Sequence, residues 1–569
     1  QAGSVLPPRM NAILQSRLAQ LSPPARDLAA LAAVIGQQFT FGVLAAAFGQ
    51  DEDVLVNYLD ELWQRKIVRE RGEKAYDFTH GKLREVAYAG LSAARRRLLH
   101  RRVAQALAPV PITCDPSTAG TAAAHYEMAG ELAAAATCYR RAAEAAVAIF
   151  ANDDAIRLYQ RAISLQQDRA AGDQDRDELC TLYTQLAKIL HLLTRYDEAR
   201  IAYEQALGYA AVGDRAARAS LQRASANTWR EQYQYEKAFA GYGAALADLE
   251  PLPASGAPAK EYSANDFASA DDPATSEIQP LRIWQEWIQV QLDRSLIYYW
   301  LNQVEAMDAI EGELEAALEQ YATPSQRAVY WQRRSSIAFR RNRSVADEEV
   351  VRLLQWSVDA LRQGGNTAAL PAAYFGLGFN LVWAGRPQEA AEALNAALAP
   401  ARQTGDLSLQ ARCLAYLATA YRQLEQAEQV QQAVEQCIAV AGAAHMPEYV
   451  GTAHANAAWL AWRKEEWAAA KQHAEAAFAA WGQLPPDHAS LPFQWTCLLP
   501  LIAMAHQAGE LEEAITYTRR LLDPRQQRLP DDMAAAGEQA IGAWENGDLQ
   551  DVRRKLKVLV DLAQTRHYL

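Results

Sequence analysis

Little in this sequence is spaced for catalysis. There is no Gly-x-Ser-x-Gly elbow, no His-Glu-x-x-His helix and no Gly-x-x-x-x-Gly-Lys-[Ser/Thr] phosphate loop. The pair Gly81-Lys82 is followed by Leu83 and has no glycine at the required distance before it. The six cysteines form no Cys-x-x-Cys pair, and the later histidines fall on separate predicted helices. We therefore expect no enzymatic activity, no metal site and no cofactor bound by this chain alone.

The remaining candidate residues are ones that could bind a ligand or another macromolecule. Arginines cluster in the run 95–102, which could contact nucleic-acid phosphates. Leu98, Leu99 and Val103 indicate a helix with one buried stripe, so its basic face could instead pack against another domain or meet solvent. The whole chain carries a net charge of −12. We expect no direct DNA binding from this region.

Charge and hydropathy bound the class of protein. Residues 1–110 carry a net +5, from 15 basic and 10 acidic side chains, so the remainder carries −17. Half of all residues are hydrophobic, which excludes wholesale disorder. No stretch approaches the ~20 apolar residues of a membrane span, and the start is not a secretory signal. We expect a cytoplasmic protein. Because the sequence begins at Gln1, we also expect it to be part of a longer polypeptide.

Residues 1–110 are predicted to form a winged-helix domain. The run Lys66–Arg69 alternates between apolar and polar residues, Gly72 allows a turn, and Ala75–Phe78 alternates again. A two-stranded hairpin after a helix is typical of the wing of such a domain. Helical patterns precede and follow the hairpin, at 9–21, 24–34, 41–48, 51–64, 80–89 and 92–107.

From about residue 118 onward the sequence repeats itself. Large and small residues recur in a fixed order around a turn, as in Tyr374, Leu377-Gly378, Leu381, Ala390, Leu394 and Ala397. This order matches the tetratricopeptide pattern. The reason is steric, because small side chains at Gly378 and Ala390 let two antiparallel helices touch while larger neighbours fill the space beside them.

The repeats keep a period of about 40 residues, longer than the usual 34, which predicts longer helices. Two weaker units fit near 283–320 and 325–362. The small residue that opens the second helix of each clear unit is Ala155, Ala199, Ala238, Ala390, Val430, Ala470 or Ala514.

The predicted fold is all-α: a right-handed tetratricopeptide-like α-solenoid preceded by the small winged-helix domain with its β-hairpin wing. The repeats occupy 111–250 and 281–569. Between them, 251–280 holds five prolines and breaks the rhythm, so we expect an inserted loop, either disordered or lying over the solenoid.

The solenoid offers the best candidate binding surface. Positions 2, 5, 9 and 12 of each first helix line the groove of tetratricopeptide arrays. Arginines with aromatic neighbours suit an anionic or peptide ligand, through bidentate pairing and stacking. Alternatively, the tryptophans pack between neighbouring repeats. The predicted groove residues are Trp331, Arg334, Arg341, Phe375, Phe379, Arg422, Trp459 and Trp462.

The first part of the chain resembles a known class. The residues that carry the resemblance are Leu6–Arg9, Ala32–Phe39, Phe78–Tyr88 and Arg95–Ala104. Together they resemble the winged helix that follows the nucleotide-binding module in STAND-class signalling ATPases. The resemblance is to large bacterial regulators that combine a transcriptional activator domain, an ATPase and tetratricopeptide repeats. Similar modules occur in bacterial adenylate-cyclase fusions. The resemblance covers roughly residues 5–170, and beyond residue 170 only the class of repeat is shared.

The resemblance implies a role for one histidine. In this class a histidine after the wing reaches the β-phosphate of ADP, within a Met-His-Asp-like motif, and holds the resting state closed. His80 stands at that place, whereas the acid that usually follows is Gly81 here. A histidine can donate to a phosphate oxygen. ATP or ADP is therefore implied for a full-length protein with an upstream ATPase domain, while His80 could also simply cap or pack against a helix.

These observations favour a regulatory module. The repeats would bind a protein or small-molecule effector, and the winged helix would couple that event to an upstream nucleotide-binding domain, in transcriptional regulation. The alternative is a passive tetratricopeptide scaffold that holds proteins together without nucleotide coupling.

Overall fold

The computed structural model describes residues 8–72, 74–108, 116–167, 172–253, 273–485 and 493–569. The chain divides into two compact units, residues 1–189 and 190–569. The first unit contains three short strands, β1 (Gln38–Thr40), β2 (Val68–Arg71) and β3 (Ala75–Phe78). Its helices are α1 (Pro8–Ala19), α2 (Pro23–Ile35), α3 (Phe41–Phe48), α4 (Glu52–Gln64), α5 (Gly81–Ala89), α6 (Ala93–Leu107), α7 (Pro116–Ala129), α8 (Leu132–Ala148) and α9 (Asn152–Gln167).

The three strands form one antiparallel sheet in the order β1-β3-β2. Val68 lies opposite Phe78 in the hairpin, and Phe39 lies opposite Tyr76. The hairpin and the helices around it confirm the predicted element order. The strand β1 was not predicted, because three residues are too few to show an alternating pattern. Its pairing places the helix α2 directly against the wing.

The end of the wing is fixed by a buried carboxylate. Asp77 accepts hydrogen bonds from the Arg69 guanidinium (2.9 Å) and from the Gln37 side-chain amide (2.8 Å). The Arg69 bond, reinforced by Gln37 and opposed by burial, lowers the pKa of the Asp77 carboxyl. These bonds tie β2, β3 and the residue before β1 together, just ahead of the helix α5.

Antiparallel helix pairs make up the second unit. They follow α10 (Asp173–Leu192), which crosses the boundary between the units, and α11 (Tyr196–Tyr209). The pairs are α12 (Arg215–Glu231) with α13 (Tyr235–Leu249), α14 (Pro273–Trp300) with α15 (Val304–Tyr321), α16 (Pro324–Arg341) with α17 (Glu348–Gln363), α18 (Leu370–Trp383) with α19 (Pro387–Thr404), α20 (Leu407–Gln423) with α21 (Ala427–Ala443), α22 (Pro447–Arg463) with α23 (Trp467–Trp481), α24 (Trp495–Ala508) with α25 (Leu511–Leu521), and α26 (Asp531–Glu545) with α27 (Leu549–Thr565).

Successive first helices contact one another from α12 through α14, α16, α18, α20 and α22 to α24, and we call these the first-helix layer. The weaker units predicted near 283–320 and 325–362 coincide with α14–α15 and α16–α17. The small residues that open the second helices are all fully or almost fully buried, namely Ala155, Ala199, Ala238, Ala390, Val430, Ala470 and Ala514. The all-α repeat fold is therefore confirmed.

The predicted inserted loop needs a correction. The helix α14 begins at Pro273, inside the predicted range 251–280. Residues 273–280 are therefore helical, with Pro280 inside the helix, so the prolines at this end of the predicted loop do not break the helix. Residues 254–272 lie outside the described part of the chain.

Substituting Gly378 by alanine is expected to lower the free energy of unfolding of residues 190–569 by about 1–3 kcal/mol. An added Cβ would lie 2.7 Å from Leu394 Cγ and 3.0 Å from the Leu394 backbone nitrogen, so α18 and α19 would have to separate. Urea unfolding followed by circular dichroism measures the change. The matched control is Gly312→Ala on α15, which meets no atom within 4 Å and should stabilise by about 0.5–1 kcal/mol. Equal effects of the two variants would contradict the close approach.

Candidate functional site

A cavity of about 220 Å³ lies within the second unit, among the first helices of successive repeats. Five consecutive members of the first-helix layer line it: α14, α16, α18, α20 and α22. Phe493, just before α24, closes one side. A molecule bound there would contact five repeats at once.

Aromatic side chains form much of the cavity wall. The rings of Phe379 and Tyr416 meet edge to face with 4.7 Å between centroids, and Phe375 lies 6.1 Å from Tyr416. Phe493 stacks flat on Trp383 behind it, at 3.9 Å. Such pairs hold each ring in place. The wall therefore presents fixed ring edges and faces to an apolar guest.

Three arginines also reach the cavity, and the side chains of other residues hold two of them. Arg412 pairs with Glu231 at 2.9 Å, and Glu231 also pairs with Arg230 at 2.8 Å. Burial opposes ionisation of Glu231, but the two guanidinium groups outweigh it and lower its pKa to about 2. Arg340 stacks on the ring of Tyr299, with its guanidinium carbon 4.2 Å from the centroid. These arrangements hold both arginines against the wall.

Arg333 differs from the other two. Its Nε donates to the carbonyl oxygen of Leu292 at 3.2 Å, and no carboxylate of the described residues lies within 4 Å of its guanidinium. The neighbouring Asp293 is engaged by Arg223 at 3.0 Å and by Asn227 at 3.1 Å. Burial lowers the pKa of Arg333 to about 10, so the group remains a cation at neutral pH. It is a charge at the cavity wall without an ion-pair partner among the described residues.

Uncharged polar residues also line the cavity. The side-chain nitrogen of Asn380 donates to Gly376 O at 2.9 Å, and its Oδ1 is buried without a hydrogen-bond donor among the described residues. Tyr299, Tyr416 and Tyr449 line the cavity, and burial raises the pKa of each phenol. They stay neutral and can hydrogen-bond a guest.

The structure places only part of the predicted groove in this cavity. Phe375 and Phe379 line it. On α16 the predicted residues lie on another side of the helix: Arg334 pairs with Glu311 at 2.7 Å, and Arg341 pairs with Asp308. Trp331 lies 6.2 Å from the ring of Trp356 on α17. Their neighbours Gln332, Arg333 and Arg340 face the cavity instead.

The prediction also needs correction for three residues further along. Arg422 is 2% exposed and Trp459 is 0% exposed, so both belong to the core and cannot line an open groove. Trp462 packs half-buried against the same core. The tryptophans thus follow the alternative reading, in which they pack between repeats. The missed signal was the spacing of Arg333, Ser336 and Arg340, which places three polar side chains on one helix face.

His80 lies at the start of α5, in the first unit. It occupies the capping position of that helix, is exposed, and makes no capping hydrogen bond with its side chain. The packing role weighed for it is therefore not what the structure shows. Its contact with a phosphate stays a prediction.

The described ranges contain no group of three or more His, Cys, Asp or Glu side chains arranged to hold a metal ion. No helix there combines the length and the apolarity needed to cross a membrane.

Comparison with known proteins gives limited matches. No protein-family model matches the chain. Over 124 residues it is 36% identical to the uncharacterized protein R02095 of Rhizobium meliloti (strain 1021), a stretch that spans 21% of this chain and 12% of that protein.

Three solved structures are similar in fold. A STAND protein with a tetratricopeptide repeat sensor from Pyrococcus horikoshii has a TM-score of 0.45 at 14% identity, covering 85% of this chain and 66% of the other. A Rap protein complexed with Competence and Sporulation Factor has a TM-score of 0.42 at 14% identity, and the match covers 68% of this chain and 97% of the other. Yeast Tom70 has a TM-score of 0.31 at 11% identity, and the match covers 83% of this chain and 97% of the other.

Proposed function

We propose that this chain is the sensor and coupling region of a STAND-like signalling ATPase that acts in transcriptional regulation in the cytoplasm. The observation that carries the proposal is the cavity, because it joins five consecutive repeats around an arginine without an acidic partner in the described chain. A ligand that contacts several repeats binds best to one stacking of those repeats and so shifts the population towards it. A passive scaffold has no need of such an internal site.

The first unit supports a coupling role over DNA binding. The helix α4, just before the hairpin, is the one that a DNA-binding winged helix would place in a groove. Its outward face carries the acidic Asp53 and Asp60 beside the exposed Val56 and Trp63. Carboxylates repel phosphates, whereas exposed apolar side chains suit a protein surface. We propose that this unit packs against an upstream nucleotide-binding domain.

The residues present fit a contact with ADP held by that domain. His80 is exposed, its side chain is not used for capping, and it lies at the positive end of α5, where an anion is favoured. A bound nucleotide would supply the phosphate and the energy of hydrolysis. His80 would donate a proton in a hydrogen bond to it and hold the closed state.

The proposed switch follows from these parts. An effector bound in the cavity favours the stacking that fits it, and this change reaches the winged helix. The histidine contact then breaks, ADP leaves, and the ATPase domain is free to oligomerise.

Substituting His80 by alanine in the full-length protein is expected to speed ADP release about 10–100-fold, because a hydrogen bond to a charged group contributes about 1.5–3 kcal/mol. The readout is the dissociation rate of a fluorescent ADP analogue, together with output in the absence of effector. Lys82→Ala is the matched control, since Lys82 lies on the same helix but pairs with Glu85. Unchanged ADP release in the His80 variant would favour the passive scaffold.

A further inference from the structure

We infer that the cavity binds a small monocarboxylate with an aromatic-sized apolar body, held at its anionic end by Arg333. This inference rests on the proposed function for the consequence of binding. It names the chemical class of the effector, which the fold does not define.

The volume of the cavity sets the size of the guest that it can enclose. A volume of 220 Å³ corresponds to about seven waters, and hence to roughly 10–14 non-hydrogen atoms of an organic molecule. The cavity therefore suits a metabolite-sized ligand.

Charge selects an anion. Arg412 has Glu231 as its counter-charge, and Arg340 is stacked on Tyr299. Arg333 is held through its Nε by Leu292 O, and no described carboxylate lies within 4 Å of its guanidinium. A carboxylate matches the planar fork of a guanidinium and can accept two parallel hydrogen bonds from it.

The same lining argues against a dianion. Glu448 also lines the cavity, so the lining carries an acidic residue beside the arginines. A phosphate would bring a second negative charge against it, in a site of low dielectric where repulsion is strong. A single carboxylate avoids this repulsion.

The body of the ligand is defined by the aromatic wall. Phe375, Phe379 and Tyr416 present rings that are fixed by one another, and an aromatic guest can meet them edge to face. The phenols of Tyr299, Tyr416 and Tyr449 add hydrogen-bonding groups to the lining. A hydroxyl or amine on the ligand would satisfy them.

Calorimetric titration of the whole chain with phenylacetate, 3-phenylpropanoate and hexanoate tests the inference. Each carboxylate is compared with its amide, which has the same shape and no charge, and with inorganic phosphate. We expect at least one aromatic carboxylate to bind at least tenfold more tightly than its amide and more tightly than hexanoate. Phosphate should not compete with it. Binding of no carboxylate in preference to its amide, or competition by phosphate, would overturn the inference.

A pair of adjacent variants assigns the contact. Arg333→Met keeps the length of the side chain and removes its charge, so the preference for carboxylate over amide should fall from at least tenfold to about onefold. Arg334→Met removes a neighbouring charge that is exposed and paired with Glu311, so it should leave the preference unchanged. Circular dichroism checks that both variants fold. Equal losses in the two variants, or retention of the preference in Arg333→Met, would overturn the role of Arg333.

Measuring ADP release from the full-length protein separates the two proposals. A carboxylate that binds through Arg333 but leaves ADP release unchanged contradicts the coupling and leaves the site standing. An ADP release rate that depends on His80, in a protein that shows no carboxylate preference, contradicts the site and leaves the coupling standing.

Discussion

Replacing Arg422 with alanine is expected to lower the free energy of unfolding of residues 190–569 by about 3–5 kcal/mol. Its guanidinium is buried and donates to the carbonyl oxygens of Thr496 and Tyr568, both at 2.6 Å. It lies between the rings of Trp459 (5.4 Å) and Trp495 (5.2 Å). Alanine would leave two buried carbonyls without donors and a void between two indoles. Urea unfolding followed by tryptophan fluorescence measures the loss.

The large expected loss of stability arises because the guanidinium of Arg422 is buried and has no carboxylate as a partner among the described residues. Burial lowers the pKa of Arg422 to about 9, so the charge is held at neutral pH by carbonyl dipoles and aromatic faces rather than by an ion pair. Its Nε also lacks a hydrogen-bond partner among the described residues. One side chain thus joins α20, α22, α24 and the end of the chain.

Arg463 provides the matched control. It stacks on the same Trp459, with its guanidinium carbon 5.2 Å from the centroid, but it is partly exposed and only loosely paired with Glu425 (3.5 Å). Arg463→Ala should cost less than about 1 kcal/mol. Arg422→Met should fall between the two alanine variants, because it fills the void but still leaves the carbonyls unpaired. If Arg422→Ala lowered the free energy of unfolding no more than Arg463→Ala does, the stabilising role assigned to Arg422 would be contradicted.

The repeats could be predicted because their signal is steric and local. Positions such as Ala390 and Ala470 must be small for two helices to touch, and both are buried against the neighbouring helix. The winged-helix elements were equally accessible, since the patterns at Lys66–Arg69 and Ala75–Phe78 show directly in the sequence, although the first of the two strands lies two residues later, at Val68–Arg71. The pairing of β1 with β3 could not be predicted, because these two strands are far apart in the sequence.

The site was predicted less well than the fold, for a reason that lies in helix register. The groove positions assumed that each first helix begins at the same point of a 40-residue repeat. However, α16 begins at Pro324 and α18 at Leu370, a longer interval. An error of one residue rotates a side chain by about 100°, which moves the cavity from Arg334 to Arg333. Phe375 and Phe379 on α18 were placed correctly because that helix follows the pattern that was aligned.

The sequence also did not predict which individual candidate residues are buried. Arg422 and Trp459 have the types expected of a binding groove, and composition does not separate a guanidinium facing a ligand from one facing two carbonyls. Only the position of Tyr568, 146 residues further along, distinguishes these cases.

Lowering the pH from 6.5 to 4 is expected to destabilise the first unit by up to about 3 kcal/mol. His100 and His125 lie in a buried contact between α6 and α7, with 2.8 Å between their Nδ1 atoms. One ring must donate and the other accept, so the pair is stable only while at least one ring is neutral. Tyr88 bonds Nε2 of His100 at 2.9 Å, and Arg96 adds a nearby positive charge.

The sign follows from the pKa of His125. Burial, assisted by His100, lowers that pKa to about 4, against about 6.5 for an exposed histidine. Between these values the unfolded chain binds a proton that the folded chain does not, so stability is fully present above about pH 6.5. It falls as the pH approaches 4 and levels off below it. Burial and Arg96 also lower the pKa of His100, which acts in the same direction.

Hydrogen exchange measured on peptides from α6 and α7 between pH 7 and pH 4 reads this change in the intact chain, after correction for the intrinsic rate. His125→Gln keeps a side chain that can hydrogen-bond but removes the titrating ring, so protection should depend less steeply on pH. His80→Gln is the control, because His80 is exposed and outside the pair, and it should keep the wild-type dependence. If His125→Gln retained the full pH dependence, the titration of His125 would not be the source of the acid sensitivity.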